Sequence, residues 1–211
     1  MALATPDNNT EDANTSGNFI VFDLSTFIFS TDAKFTRAAL EPAFKLQNAA
    51  VLATQPRPAV TSLIQGWYGG ATLPNATADD TFVPTAWKTQ DVDALKPLTS
   101  EKLYQNVVRT CRTCHTPLVA QNLAWDTYAK LTARANTFVS EVCGTDLIMP
   151  HDAIAYLNFW RFMPPASETY PMGGLKPPLT MKQPFLDMGA FLTAQSKAVG
   201  VCKNTKGQPP R

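Results

Sequence analysis

Apolar residues recur along this chain mostly at three- and four-residue spacing, so the pattern predicts helices joined by polar and proline-bearing loops. Residues 1–18 are polar, rich in Asn, Thr and Asp, and read as a flexible tail. Phe19 to Phe29 is a short apolar, β-favouring run that fits either a strand or an extended packing arm. A helix is expected from about Asp32 to Leu52, capped by Ser30 or Thr31, with Phe35, Ala38, Ala39, Pro42 and Leu46 as its buried stripe. Pro42 should kink or split it. A second helix carries Val60, Leu63, Ile64 and Trp67 and stops at Gly69-Gly70. In the loop from Thr72 to Lys96, Phe82, Val83 and Trp87 stand as isolated anchors, expected to pack on neighbouring helices.

Thr99 or Ser100 caps the next helix, where Leu103, Val107 and Cys111 recur every four residues. A further helix lies between Asn122 and Val142, carrying Leu123, Tyr128, Leu131 and Phe138 and ending at Gly144. Another runs from His151 to Phe162 and is stopped by Pro164-Pro165. The proline-rich stretch 164–184 is expected to wrap as extended chain before a last helix from about Phe185 to Val199. The fold class is therefore all-α. It divides into a tail (1–18), an N-terminal extension (19–97), a core (98–163) and a wrapping C-terminal segment (164–211).

With 211 residues, 45% of them hydrophobic, the chain holds one ordinary domain, or a small one with a sizeable extension. No apolar run approaches the roughly 18 residues of a membrane span, so a soluble protein is expected. A net charge of +1 gives no general attraction to nucleic acid or anionic membrane. Partners must be sought in the chemistry of particular residues.

That chemistry is concentrated at Cys111-Arg-Thr-Cys114-His115, a Cys-x-x-Cys-His run. With four Cys and two His in the chain, chance produces this run in on the order of one sequence in a thousand. It is the attachment pattern of a c-type haem. Two thiols on one face of a helical turn can add across two vinyl groups of a porphyrin edge, and the next residue sets an imidazole under the iron. A zinc site would need a second pair of ligands, and Cys143, Cys202 and His151 are too scattered to form one. A thioredoxin-like dithiol would follow a buried strand, whereas this run sits on a helix.

Covalent haem attachment belongs to the exported side of a membrane, so a periplasmic or extracellular location is expected. Met1-Ala2-Leu3-Ala4 reads like the end of a signal sequence without its apolar region. In an oxidising compartment the leftover Cys143 and Cys202 are expected to form a disulfide, closing a loop of about 60 residues worth roughly 3 to 4 kcal/mol. Two separate buried thiols are the alternative.

His115 takes one axial position, which leaves Met149 and His151 to compete for the other. Pro150 suits a first helical position and Asp152 favours the same turn, so Met149 falls at the end of a loop, from which a flexible thioether can reach iron. Met149 is preferred as sixth ligand, with His151 as the alternative. Met163, Met172, Met181 and Met188 are read as packing or linker residues.

The order of helix, Cys111-x-x-Cys114-His115, helix, Met149-Pro150 loop and aromatic helix resembles the class I cytochrome c family over about residues 98–163. That resemblance implies an all-α haem core carrying one covalent haem c, with the first and last core helices crossing through Leu103, Val107, Phe159 and Trp160. It also implies electron transfer between redox protein partners, or within a larger membrane-bound or multi-subunit redox complex. Two features depart from the family. Pro117 comes too early to supply the carbonyl that usually accepts the imidazole N–H, and the spacing from His115 to Met149 is short. A haem enzyme or gas sensor with an open sixth site, and His151 as an acid/base group beside it, is the competing class.

Overall fold

A computed structural model of the chain describes residues 19–27, 29–88, 96–117, 123–142 and 183–195. Eight helices make up the framework of these residues: α1 (Arg37–Ala53), α2 (Pro58–Trp67), α3 (Thr85–Lys88), α4 (Ser100–Asn106), α5 (Arg112–His115), α6 (Tyr128–Thr132), α7 (Ala135–Thr137) and α8 (Gln183–Ala194). The all-α expectation holds over the described residues. None of their helices is long and apolar enough to cross a membrane.

Two apolar cores organise these helices. The N-terminal core gathers Val21, Val51, Val60, Leu63, Ile64, Trp67, Tyr68 and Leu73. All four residues expected to face inward from α2 are in it, and Pro58 begins that helix, where its missing N–H costs nothing. Gly69 and Gly70 end it at φ +83° and +138°, left-handed values that side chains resist. The second core joins Val83, Trp87, Leu103, Val107, Tyr128, Leu131 and Phe138 to Met188, Phe191 and Leu192 of α8. Met188 is thus a packing residue, and Trp87, fully buried, is an anchor against these helices.

Helix α1 departs from the sequence reading. Thr36 caps it, its hydroxyl accepting from the Ala39 N–H at 3.3 Å, so the helix starts later than expected. Pro42 does not split it. The residue sits near the N-terminus on an exposed face, where the unpaired carbonyl one turn back meets water. The expected stripe is turned outward, with Phe35 54% and Leu46 69% exposed, while Glu41, Asn48 and Val51 are buried. Loop backbone explains the inversion. Asn48 accepts from the Phe22 N–H and donates to the Phe22 carbonyl, both at 2.9 Å, and Glu41 accepts from the Ala78 N–H at 2.6 Å. Peptide groups in these irregular segments have no ladder partner, so buried polar side chains supply one.

The run after Phe19 forms an arm rather than a strand, with a 3₁₀ turn at Leu24–Thr26 capped by Asp23. Thr99 caps α4 as expected, accepting from the Lys102 N–H at 3.2 Å. The expected continuous helix into Cys111 is broken by a 3₁₀ turn at Val108–Thr110, where the Thr110 hydroxyl donates to the Val107 carbonyl at 2.7 Å. The helix expected over 122–142 is also divided. The Thr132 hydroxyl donates to the Tyr128 carbonyl, Arg134 leaves helical geometry, and α7 continues as a π-turn over Phe138–Val142. Leu123 precedes the first of these pieces. Helix α8 packs across α4, with Asn106 donating to Asp187 at 2.6 Å. The expected helix at 151–162, with Phe159 and Trp160, and the proline-rich stretch up to residue 182 lie outside the described residues.

Candidate functional site

The 3₁₀ turn and α5 together place Cys111, Arg112, Thr113, Cys114 and His115 in one tight coil. The Cys111 carbonyl accepts from the N–H groups of Cys114 at 3.3 Å and His115 at 3.2 Å. Spacing of 100° per residue brings Cys111, Cys114 and His115 to one side of that coil. Cys111 is half-buried against the second core, Cys114 is exposed, and neither is in a disulfide. Burial pushes the Cys111 thiol up to about 11, with the Thr110 hydroxyl, 3.4 Å from Sγ, pulling the other way. The thiol therefore stays protonated at neutral pH.

His115 is held from two directions by one short segment. Its Nδ1 lies 3.2 Å from the Leu123 carbonyl, and a carbonyl can only accept, so Nδ1 carries the proton. The lone pair is thereby left on Nε2. Two residues on, the Trp125 indole lies flat on the imidazole, with ring centroids 3.7 Å apart and planes 15° apart. Burial holds the imidazole down to about 4, outweighing the Leu123 carbonyl, which favours the charged form. At neutral pH His115 is a neutral base with a defined tautomer, the state that ligates a metal. The acceptor for the imidazole N–H, which Pro117 comes too early to supply, is thus the Leu123 carbonyl.

Trp125 is itself constrained. Its φ of +47° is a left-handed value that costs a bulky residue free energy, and the surroundings enforce it. Trp87 donates its Nε1–H to the Trp125 carbonyl at 3.1 Å, and Phe138 packs on the indole at 5.1 Å between centroids. Among the described residues the Nε1–H of Trp125 and the hydroxyl of Thr113 are buried without a hydrogen-bond partner. Orphan donors of this kind ask for an acceptor, and a porphyrin bearing carboxylates is a group that supplies one.

Arg112, between the two cysteines, escapes any reading of the motif as chemistry. It is 1% exposed and its Nε donates to Asp23 Oδ2 at 2.6 Å, across 89 positions of sequence. Its guanidinium lies over the rings of Trp67 at 5.0 Å and Tyr104 at 5.7 Å. Burial alone would lift the Asp23 carboxyl, but the charge and hydrogen bond of Arg112, joined by the hydroxyl and N–H of Ser25, hold it below its ordinary value. The sequence offered no more than a cation inside the Cys111–His115 run, with its partner far away in the chain.

Cys111, Cys114 and His115 are thus brought together. Met149, His151, Cys143 and Cys202 lie outside the described residues. Among the described residues no cluster of three or more His, Cys, Asp or Glu could hold a metal ion. A groove of about 1050 Å³ runs between α4 and α8 past Lys102, Asn106, Leu186 and Asp187. It does not touch the cysteine turn and has no part in this site. No protein-family model, curated protein or solved structure matches the chain.

Proposed function

We propose that this chain carries one c-type haem, bound covalently through Cys111 and Cys114 with His115 as axial ligand, and passes single electrons between protein partners. The observation that carries the reading is the bond from His115 Nδ1 to the Leu123 carbonyl, which leaves the lone pair on Nε2 of a residue that shares a helical face with the two cysteines. The residues fit the group. Each thiol would add across a vinyl group, its sulfur bonding to one carbon and its hydrogen going to the other, and no external oxidant is needed. A haem held this way supplies a one-electron iron couple. The chain's own residues fix the imidazole plane, keep it neutral and pack Cys111 against an apolar core.

Met149 remains the preferred second axial ligand and His151 its alternative, and a core like class I cytochrome c, with α4 as its first helix, is part of the same reading. Attachment of this kind places the protein in the periplasm or outside the cell, where redox proteins, alone or in a multi-subunit complex, would be its donor and acceptor.

The test is Cys111→Ala with Cys114→Ala. Wild-type chain made in an exporting, haem-attaching host should keep its pigment through acid–acetone extraction, and the double variant should lose all of it. Colourless wild-type chain under those conditions, or pigment that survives extraction in the double variant, overturns the reading.

A further inference from the structure

The haem reading uses Cys111, Cys114 and His115 and leaves Arg112, the most deeply buried residue of the turn, without a task. We infer that Arg112 is a positioning residue: paired with Asp23, it sets the rotation of the attachment turn and so the direction in which His115 faces. The inference rests on the proposed haem site, and it assigns the N-terminal core the task of orienting that site.

Helix α5 has four residues, too few for its own hydrogen bonds to hold it. Its orientation must come from side chains on either flank. On one flank His115 is held by the Leu123 carbonyl and the Trp125 ring. On the other, Arg112 projects about 100° around the axis from the face shared by Cys111, Cys114 and His115. Its guanidinium enters a slot made by Asp23 of the arm, Trp67 of α2 and Tyr104 of α4. The Asp23 carboxylate is fixed in turn, because its other oxygen accepts from the Ser25 N–H at 3.0 Å and hydroxyl at 2.7 Å. A rotation of α5 that redirected His115 would pull Arg112 out of this slot and strand a buried charge.

Directionality distinguishes this pair from filler. Buried ion pairs are often replaceable by apolar residues of similar volume without loss of stability. What apolar side chains do not reproduce is an angular constraint, since contact between methyl groups tolerates rotation and a short charge-assisted hydrogen bond does not. Asp23→Leu with Arg112→Met therefore keeps the packing and removes the constraint.

The experiment uses the full chain, first without haem. Stacking on Trp125 moves the His115 ring protons upfield in the NMR spectrum, and His151→Gln assigns the second histidine. Arg112→Met and the Asp23→Leu/Arg112→Met pair should each lose most of that upfield shift. Arg112→Lys, which keeps the charge and much of the reach, should retain more of it than Arg112→Met. A control from the N-terminal core, Leu63→Ala, should keep the shift even where its melting temperature falls further. The inference is overturned if the folded double variant keeps the wild-type shift, or if Leu63→Ala loses it equally, because Arg112 would then be a structural brace only. If the double variant fails to fold, Asp23→Asn is read in its place by the same criteria. Covalent haem on the wild-type chain is scored separately. Its absence would sink the haem reading and leave the ring-shift result standing, whereas unchanged ring shifts on a haem-bearing chain would sink the positioning role alone.

Discussion

Trp125 and His115 lie face to face, 3.7 Å between ring centroids, and the residue that stacks on the imidazole sits two positions after the one whose carbonyl accepts its Nδ1–H. One short segment, Leu123-Ala124-Trp125, therefore fixes both the plane and the tautomer of the histidine. The segment is held in turn by Trp87, which reaches from α3 to the Trp125 carbonyl.

Trp125→Ala should cost about 3 to 5 kcal/mol, the range for emptying a buried tryptophan site. Trp87→Phe should cost less, about 1 to 3 kcal/mol, through the unpaired Trp125 carbonyl it leaves behind. Urea unfolding of both variants measures this. The His115 ring protons should move in both, because Trp87 acts on the histidine through the segment it anchors. A Trp87→Phe variant with unchanged His115 signals would break that link.

Asn48 and Leu46 should respond against their polarity. Asn48→Leu makes the chain more hydrophobic, yet it leaves the N–H and carbonyl of Phe22 unpaired, so it should destabilise by about 2 kcal/mol or more. Leu46→Gln removes an exposed apolar side chain and should stay within about 0.5 kcal/mol of wild type. Equal effects from the two would contradict the orientation of α1.

Acid should separate wild type from Asp23→Asn in a defined direction. Burial would raise the Asp23 carboxyl, but Arg112 and Ser25 more than compensate, so its value in the folded chain lies below 3.8. A depressed carboxylate contributes its stability fully above the unfolded value and loses it as pH falls through the folded one. The stability gap between wild type and Asp23→Asn should therefore be widest near neutrality and narrow as pH drops below 3.8. Chemical unfolding followed across that range checks it, and a gap independent of pH would place the Asp23 charge outside the folded-state balance.

For the haem-bearing chain, Met149→Ala should open the sixth position, lower the potential and permit carbon monoxide binding. His151→Ala should leave the spectrum nearly unchanged. Losing a thioether removes preferential stabilisation of ferrous iron, which is why the potential falls. The reverse pattern assigns His151. If neither variant changes the spectrum and the native chain binds carbon monoxide readily, the sixth site is open and the carrier reading fails.

Local chemistry made a good part of this molecule legible from its sequence. Val60, Leu63, Ile64 and Trp67 all face the N-terminal core because their spacing suits one side of a helix, and Gly69-Gly70 ends α2 because only glycine takes those φ values easily. Thr99 caps α4 by a bond made within three residues. Cys111, Cys114 and His115 share a face because a helical turn repeats every 3.6 residues. Each of these depends on neighbours in the chain, and neighbours are what a sequence displays.

Tertiary structure decided what depends on distant partners. Helix α1 presents Glu41 and Asn48 inward because loop peptide groups at Ala78 and Phe22 need hydrogen bonds, a demand invisible to a rule that sends polar residues outward. The acceptor for His115 is a leucine carbonyl, and every residue has a carbonyl, so composition could not mark Leu123. Arg112 has no partner near it in the chain, and only folding brings Asp23, 89 positions away, to 2.6 Å. Backbone groups are the same at every position and charges pair through space, so only the folded chain could say which ones meet.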